Sequence, residues 1–251
     1  MATSLDGHVA LVTGSSKGLG KGIAAALGEA GAKVVLNYCH GKEAGEQAYE
    51  ELKAAGCDCI LVRANVVDAD SIATLVSEVA ARFGAIDILV PNATPAQPQR
   101  PIEEYSWDDY QAMIDFFIKS PYLLTRAILP GMKAKKWGRI VNIGSEVFQR
   151  GVGNFSAYVA AKGGQAGWTR SMASELAPFG ITVNLVAPGW IPVERHADDP
   201  QADKDEYFAS IPVGRWGIPA DIGNAVNYLA SEESSFVTGQ TLCVNGGLTP
   251  L

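Results

Sequence analysis

Cysteine, histidine and excess positive charge are all scarce in this chain of 251 residues. Its four cysteines (Cys39, Cys57, Cys59, Cys243) form no CxxC pair, and its three histidines form no cluster at metal-ligand spacing, so no metal site is expected. No apolar leader precedes Gly7, and the thiols read as reduced cysteines of a cytoplasmic protein. Twenty Lys+Arg against 27 Asp+Glu leave a formal charge of −7. Such a balance supplies no field toward phosphate backbones or anionic lipid, and no nucleic-acid partner is expected. Every apolar run is broken by Lys, Gly or Asn well before the ~18 residues that span a bilayer, so no membrane association is expected either. With 47% apolar and 19% charged residues, the composition also excludes a disordered chain.

Glycine, by contrast, is abundant. The 27 glycines amount to about 11% against a usual ~7%, with no collagen-like period, and need individual explanations. Short β-branched runs alternate with segments of helical period along the chain, the pattern of βαβ units and a parallel sheet. Strands are expected at His8–Gly14, Lys33–Tyr38, Cys59–Asn65, Ile86–Ala93, Arg139–Ser145, Ile181–Gly189 and Thr241–Gly246. Their near-continuous apolar character fits strands buried on both faces. Helices are expected over Gly18–Ala30, Glu43–Ala55, Ala69–Phe83, Trp107–Lys135, Ala157–Ala177 and Ala220–Ser231, with Pro121 kinking the fourth. The prediction is therefore one doubly wound α/β domain over residues 1–251, a seven-stranded parallel sheet of Rossmann type with helices on both faces. The segment Trp190–Val213 has no clear period, carries Pro192, Pro200 and Pro212, and reads as a lid.

The first expected strand runs into Thr13-Gly14-Ser15-Ser16-Lys17-Gly18-Leu19-Gly20 and then a helix. Glycine there permits positive φ and a close backbone approach, while the helix N-terminus offers free N–H groups to a phosphate. The G-x3-G-x-G spacing differs from both the general dinucleotide fingerprint and the P-loop, and a tight turn is the ordinary alternative. Lys17 opposes the helix dipole unless an anion is present, though a solvated loop lysine would look the same. The second strand ends Leu36-Asn37-Tyr38-Cys39, followed by His40 and Lys42. No carboxylate stands there to bind ribose hydroxyls or repel a 2′-phosphate, which favours NADP(H) over NAD(H).

Strand five ends at Ser145, and Tyr158 and Lys162 follow on a predicted helix with i, i+4 spacing. That spacing places Tyr158 and Lys162 on one helix face at the carboxyl end of the sheet, toward Ser145. Singly they read as a strand-end cap, a packed aromatic and a surface charge. Together they suit carbonyl reduction. A phenol with an ordinary pKa near ~10 delivers a proton to a developing alkoxide only if its phenolate is stabilised, and a nearby ammonium with an oxidised nicotinamide would do that. Ser145 would hydrogen-bond the substrate oxygen.

With Thr13-Gly14-x3-Gly18-x-Gly20, Asn92-Ala93, Ser145, Tyr158-x3-Lys162, Asn184, Pro188-Gly189 and the terminal Gly239-Gln240-Thr241…Asn245-Gly246-Gly247, the chain resembles the short-chain dehydrogenase/reductase family over essentially its whole length. The likeness is to members of the 3-oxoacyl-carrier-protein reductase type. The resemblance implies that Tyr158 is the acid/base, that Lys162 binds the nicotinamide ribose and lowers the tyrosine pKa, and that Ser145 orients substrate. It also implies that Gly14, Ser16, Lys17, Gly18 and Leu19 line the pyrophosphate and 2′-phosphate region and that Asn37 lies near the adenosine ribose. Asn65 and Val66 would hold the adenine edge, Asn92 and Ala93 the central ribose, and Pro188, Gly189 and Ile191 the nicotinamide. A homotetramer is implied too.

Several positions depart from the family pattern. Thr94 and Val193 replace a usual Gly and Thr, and Phe117 (or Ile114 in the alternative register) stands where many members have an Asn that holds a water beside the active-site lysine. Either water reaches Lys162 through altered backbone, or turnover is slow. Glu146, Val147, Phe148, Gln149, Thr94, Trp190 and Glu194-Arg195-His196 are expected around the substrate, with His196 a surface or lid residue. The leading expectation is an NADPH-dependent reductase of a small-molecule ketone or aldehyde, reversible as an alcohol dehydrogenase (EC 1.1.1.-). The alternatives are an NAD(P)-dependent sugar or polyol dehydrogenase and a nucleotide-binding regulatory protein with weak catalysis.

Overall fold

The computed structural model describes residues 4–250. Seven parallel strands, β1 (Val9–Val12), β2 (Lys33–Tyr38), β3 (Cys59–Arg63), β4 (Ile88–Val90), β5 (Gly138–Ile143), β6 (Ile181–Pro188) and β7 (Thr241–Val244), lie in the order β3-β2-β1-β4-β5-β6-β7 among the described residues. Each expected strand is present, most of them trimmed at the ends where the chain leaves the ladder. The order reverses at β1, whose Leu11 pairs with Val35 of β2 on one side and Leu89 of β4 on the other. In open α/β sheets the crevice at such a reversal is where ligands bind.

Alternation along β1 assigns the two faces. Ala10 and Val12 pack with Ile23 and Leu27 of α1 (Gly18–Glu29), Leu52 of α2 (Lys42–Ala54) and Val226 and Leu229 of α9 (Pro219–Ala230). Val9 and Leu11 pack instead with Leu75 of α3 (Ala69–Arg82), Leu124 and Ile128 of α5 (Ser120–Lys135) and Leu176 of α7 (Ser156–Leu176). Because both faces are covered, β1, β5 and β6 are buried throughout, which is why their sequences read as unbroken apolar runs. Helices α1 and α9 touch through small residues: a Cβ on Gly223 would lie 2.7 Å from Ala26 Cβ and 3.0 Å from the Gly22 carbonyl oxygen.

The long fourth helix differs from expectation. It is α4 (Trp107–Ile114), a π-helical turn over Asp115–Lys119, and α5. The discontinuity lies directly before Pro121, where a proline kink is expected. Proline has no N–H for the carbonyl four residues back, and the chain adapts by widening: the Ser120 N–H donates to the Asp115 carbonyl instead. π-Turns of this kind commonly sit at functional sites.

Two helices have no counterpart in the periodicity. The first, α6 (Val147–Arg150), is a single turn after Ser145, and the second, α8 (Gln201–Ala209), lies inside the 190–213 segment and buries no residue completely. A helix without a wholly buried stripe leaves no period to read.

Gly223→Ala should lower the unfolding free energy by ~1–3 kcal/mol, as overpacking does. The check is a fall in the urea midpoint with an unchanged m-value.

Candidate active site

The turn between β1 and α1 is tied from both sides. Gly14 has φ +61°, and a Cβ there would stand 2.8 Å from Ala93 Cα. The Gly14 N–H donates to Asn37 Oδ1 (3.2 Å), and Asn37 Nδ2 donates to the carbonyls of Ala64 (3.2 Å) and Val62 (3.4 Å). Buried Ser15 accepts from the Asn37 N–H (2.9 Å) and donates to the Val12 carbonyl (2.8 Å). From the other side, Asn92 Nδ2 donates to the carbonyls of Thr13 (2.9 Å) and Gly14 (3.1 Å), and the N–H groups of Asn92 and Ala93 both donate to Thr13 Oγ1. A Cβ on Gly20 would stand 2.5 Å from Asn92 Nδ2, so only glycine fits beside this bracing.

The start of α1 has no side-chain cap and no acidic residue in its first turn. Its N–H groups and positive dipole end therefore remain available to an anion, and this donor set fits the pyrophosphate of a dinucleotide. Gly18 and Leu19 are partly buried in that first turn, next to partly buried Ser16 and exposed Lys17. A Cβ on Gly18 would stand 3.2 Å from Glu194 Oε2, so the 190s segment reaches over this turn. Asn37 is only 2% exposed, and its amide braces the phosphate turn rather than standing open at the strand end. Asn65 is exposed at the end of β3 with Val66 buried beside it, and Asn65 Oδ1 accepts from the Val67 N–H (3.2 Å). Pro188 ends β6, Gly189 follows it and Ile191 is buried.

Ser145, Tyr158 and Lys162 come together at the carboxyl end of β5. Ser145 Oγ accepts from the Val147 N–H (3.4 Å). Tyr158 and Lys162 stand one turn apart on α7, and both are buried. The Tyr158 ring stacks on Phe155 (centroids 4.7 Å) and meets Phe117 edge-on (5.3 Å). Lys162 Nζ donates to the Ile143 carbonyl (2.6 Å) and Gln165 Oε1 (3.2 Å) and lies 3.7 Å from the centre of the Phe117 ring. Phe117 sits in the π-turn and is 3% exposed. It therefore covers the ammonium with an aromatic face, a cation–π contact, where an amide would offer hydrogen bonds. Gln165 was not singled out from the sequence, although its i+3 spacing from Lys162 places it on the same helix face.

Burial pushes the Tyr158 phenol above its ordinary value, opposed by the Ser145 hydroxyl and by the Arg195 guanidinium. Burial also holds Lys162 well below its ordinary range, and Arg195 lowers it further. The groups that pull the phenol down are thus Ser145 and Arg195.

Glu146 is 2% exposed and turned inward rather than toward substrate. Its Oε1 accepts from Tyr207 (2.6 Å) and Arg150 (3.1 Å), and its Oε2 accepts from Thr249 Oγ1 (3.1 Å). Tyr207 Oη in turn accepts from the Trp190 N–H (2.7 Å), and its ring stacks on Trp216 (5.8 Å). One carboxylate thus joins the loop after Ser145, helix α8 and the C-terminal segment. Burial and then Glu146 raise the Tyr207 pKa, so this tyrosine stays a donor. Nothing in the local sequence marks Tyr207 or Thr249, whose partner is more than 60 residues away.

A glycine-lined anion turn at the strand-order reversal, with a serine, a tyrosine and a lysine brought together nearby, defines a dinucleotide-dependent oxidoreductase. Known proteins agree on the class: the family model described as Enoyl-(Acyl carrier protein) reductase matches residues 14–249. The chain is 41% identical over 241 residues to the 3-oxoacyl-[acyl-carrier-protein] reductase of Staphylococcus aureus strain Mu50, covering 95% of this chain and 97% of the relative. It is 39% identical over 250 residues to that of Escherichia coli K12, covering 98% of each. Among solved structures, a putative gluconate dehydrogenase from Agrobacterium tumefaciens superposes with a TM-score of 0.93 at 32% identity over the whole of both chains. A gluconate 5-dehydrogenase from Burkholderia cenocepacia J2315, in complex with NADP and tartrate, superposes with a TM-score of 0.90 at 34% identity, over 98% of this chain and 96% of that one. The chain belongs to the short-chain dehydrogenase/reductase family of NAD(P)-dependent oxidoreductases.

Two substitutions test this geometry. Ser145→Ala should reduce turnover by about two orders of magnitude, as loss of an oxyanion donor does. In alcohol oxidation the phenolate is the active form, so the same change should move the alkaline rise in kcat to higher pH, because one of the two groups lowering the phenol is gone. Tyr207→Phe strands the Trp190 N–H and part of the Glu146 carboxylate and should cost ~1–3 kcal/mol of stability, measured by urea unfolding.

Proposed function

We propose that this protein is an NADP(H)-dependent oxidoreductase that reversibly converts a small-molecule ketone or aldehyde into an alcohol, with Tyr158 as acid/base, Lys162 as its ammonium partner and Ser145 as the hydrogen bond to the reacting oxygen. The observation that carries the proposal is the convergence of these three side chains beside the phosphate turn. When bound, the cofactor supplies the hydride in reduction and accepts it in oxidation. In reduction the Tyr158 hydroxyl gives its proton to the oxygen that gains negative charge, and the resulting phenolate is held by Ser145 and nearby cations until solvent returns a proton. In oxidation the same phenolate removes the alcohol proton. Ser145 and Tyr158 together fix the oxygen's position, so most of the barrier reduction on the protein side comes from orientation and preset charge.

The phosphate turn would hold the cofactor through Gly14, Ser16, Lys17, Gly18 and Leu19, with Asn92 and Ala93 at the central ribose. Asn65 and Val66 would hold the adenine edge, and Pro188, Gly189 and Ile191 the nicotinamide; Asn37 contributes by bracing the turn. Preference for the 2′-phosphate is supported by a cleft of about 280 Å³ beyond β2, lined by Tyr38, Cys39, His40, Gly41, Lys42 and Arg63. Its lining includes Arg63 and Lys42, the latter paired with Glu46 at 3.3 Å, and no carboxylate lines it. The NADP complex of the Burkholderia relative points the same way.

A second reading, a sugar or polyol dehydrogenase, is favoured by the two gluconate dehydrogenases among the structural relatives. Residues 1–251 would act as one nucleotide-binding unit with residues 190–213 as its lid. Exposed Trp107 and Tyr122 on α4 and α5 and exposed Leu242 on β7 support a homotetramer built through those elements. No helix among the described residues is long and apolar enough to cross a membrane, and a cytoplasmic location is in keeping with four free cysteines.

Tyr158→Phe should abolish NADPH-dependent reduction of activated ketones while leaving NADPH affinity within about threefold, and the wild type should bind NADPH at least tenfold more tightly than NADH. Undiminished turnover in the variant would sink the mechanism, and tighter NADH binding would sink the cofactor assignment.

A further inference from the structure

The mechanism above makes no use of Glu146, although this buried carboxylate directly follows Ser145 in the chain. A carboxylate taken out of water is costly unless its oxygens are well engaged, and here the engagement has a direction. Glu146 Oε1 accepts from Tyr207 Oη (2.6 Å), and Tyr207 Oη accepts in turn from the Trp190 N–H (2.7 Å). The Glu146 N–H also donates to the Pro188 carbonyl (3.0 Å). One residue is thus held to residues 188–190 twice, once through its backbone and once through its side chain and a single tyrosine. Little space is left around the second route. A Cβ on Gly189 would stand 2.6 Å from Tyr207 Oη, and the Tyr207 ring meets Trp190 edge-on (5.4 Å) while stacking on Trp216 (5.8 Å). The other donors to this carboxylate lead elsewhere: Arg150 lies four residues along the chain (3.1 Å), and Thr249 lies in the C-terminal segment (3.1 Å).

The two routes join the two halves of the reaction proposed above, in which Ser145 meets the reacting oxygen and residues 188–191 border the nicotinamide. Hydride transfer depends steeply on how the reactants are placed, and a misplacement of ~1 Å can cost ~10²-fold. A short O–H bond to an ionised carboxylate is among the stronger hydrogen bonds available for holding such a distance. We propose that Glu146 and Tyr207 are a positioning pair that fixes the separation between the substrate oxygen at Ser145 and the nicotinamide at Pro188–Trp190. Neither side chain touches the reacting atoms; Glu146 acts through Ser145, and Tyr207 acts through Trp190. The inference rests on the oxidoreductase reading and deepens it, because it gives helix α8 a part in the chemistry: the helix carries Tyr207.

Four variants separate positioning from packing. Glu146→Leu removes the side-chain route, and Tyr207→Phe removes its middle link. Glu146→Gln keeps an oxygen for Tyr207 and Arg150 and offers an N–H to Thr249 Oγ1. Thr249→Val removes a bond to the same carboxylate that does not lead to Trp190. Two readouts are taken on each: single-turnover hydride transfer from NADPH to an activated ketone, and the emission of bound NADPH, which brightens when its reduced nicotinamide is held rigidly. Glu146→Leu and Tyr207→Phe should each slow hydride transfer by about tenfold or more and dim the bound NADPH toward the free cofactor, with NADPH affinity changed by no more than about threefold. The double variant should be about as slow as the slower single, since contacts in one chain do not add. Glu146→Gln should recover most of the loss, and Thr249→Val should lower the urea midpoint while leaving hydride transfer and emission in place.

Losses in hydride transfer that simply follow the urea midpoints across the four variants would overturn the proposal, as would a loss in Thr249→Val equal to that in Glu146→Leu. Losses that multiply in the double variant would overturn it too. All three results leave the oxidoreductase reading standing. If the wild type transfers no hydride to any ketone, that reading fails, and the emission of bound NADPH still decides the positioning pair: an unchanged emission in Tyr207→Phe overturns it. Should Glu146→Leu fail to fold, Tyr207→Phe and Thr249→Val carry the same comparison.

Discussion

Where β1 passes between β2 and β4, the chain must change from a strand buried on both faces to a helix whose first N–H groups have no intrahelical partner. An apolar environment would make those groups costly, so the turn needs both firm support and an open anion-accepting face. Asn37 and Asn92 supply the support from opposite sides, the first through the Gly14 N–H and the second through the Thr13 and Gly14 carbonyls. Nearly every other feature of the site takes its place from this junction, because the reversal of strand order at β1 opens the crevice that β5, α7 and the 190s segment border.

At the far side of that crevice the controlling cost is electrostatic. Lys162 is buried, and burial works against its charge. What offsets the cost is local: the Ile143 carbonyl at the end of β5, the Gln165 amide one turn along α7, and the face of Phe117. Phe117 can take that position because the π-turn before Pro121 resets the helix at that level. The same ring packs against Tyr158, so one side chain contacts both Tyr158 and Lys162. Arg195 adds a second positive charge to the region. Glu146, the carboxylate adjacent in sequence to Ser145, is turned inward and bonded to Tyr207, Arg150 and Thr249, whereas the Glu194 carboxylate reaches over the turn at the start of α1.

Much of this was legible in the chain. The β-branched runs mark all seven strands, and in β1, β5 and β6, buried throughout, there is no room for polar alternation. Tyr158 and Lys162 share a helix face by spacing alone, and the glycines of residues 14–20 mark a turn that side chains would block. Less was legible where a residue's role depends on a distant partner. Asn37 suggests an open strand end, yet its amide is used up by Gly14, Val62 and Ala64. Glu146 suggests a pocket wall, yet its partners lie at positions 207 and 249. Helix α8 escaped because none of its residues is fully buried, which leaves no apolar stripe to detect.

The sequence by itself determined the class of fold, the turn that suits a dinucleotide phosphate and the residues that make hydride chemistry feasible, because those depend on periods of two and 3.6 residues and on backbone conformations that only glycine tolerates. The tertiary structure decided what surrounds each charge: the aromatic cover over Lys162 and the inward turn of Glu146. Those outcomes depend on which side chains from remote segments come within a few ångströms of one another. Such distances are settled by how helices seat on the sheet and carry no signature in the local order of residues.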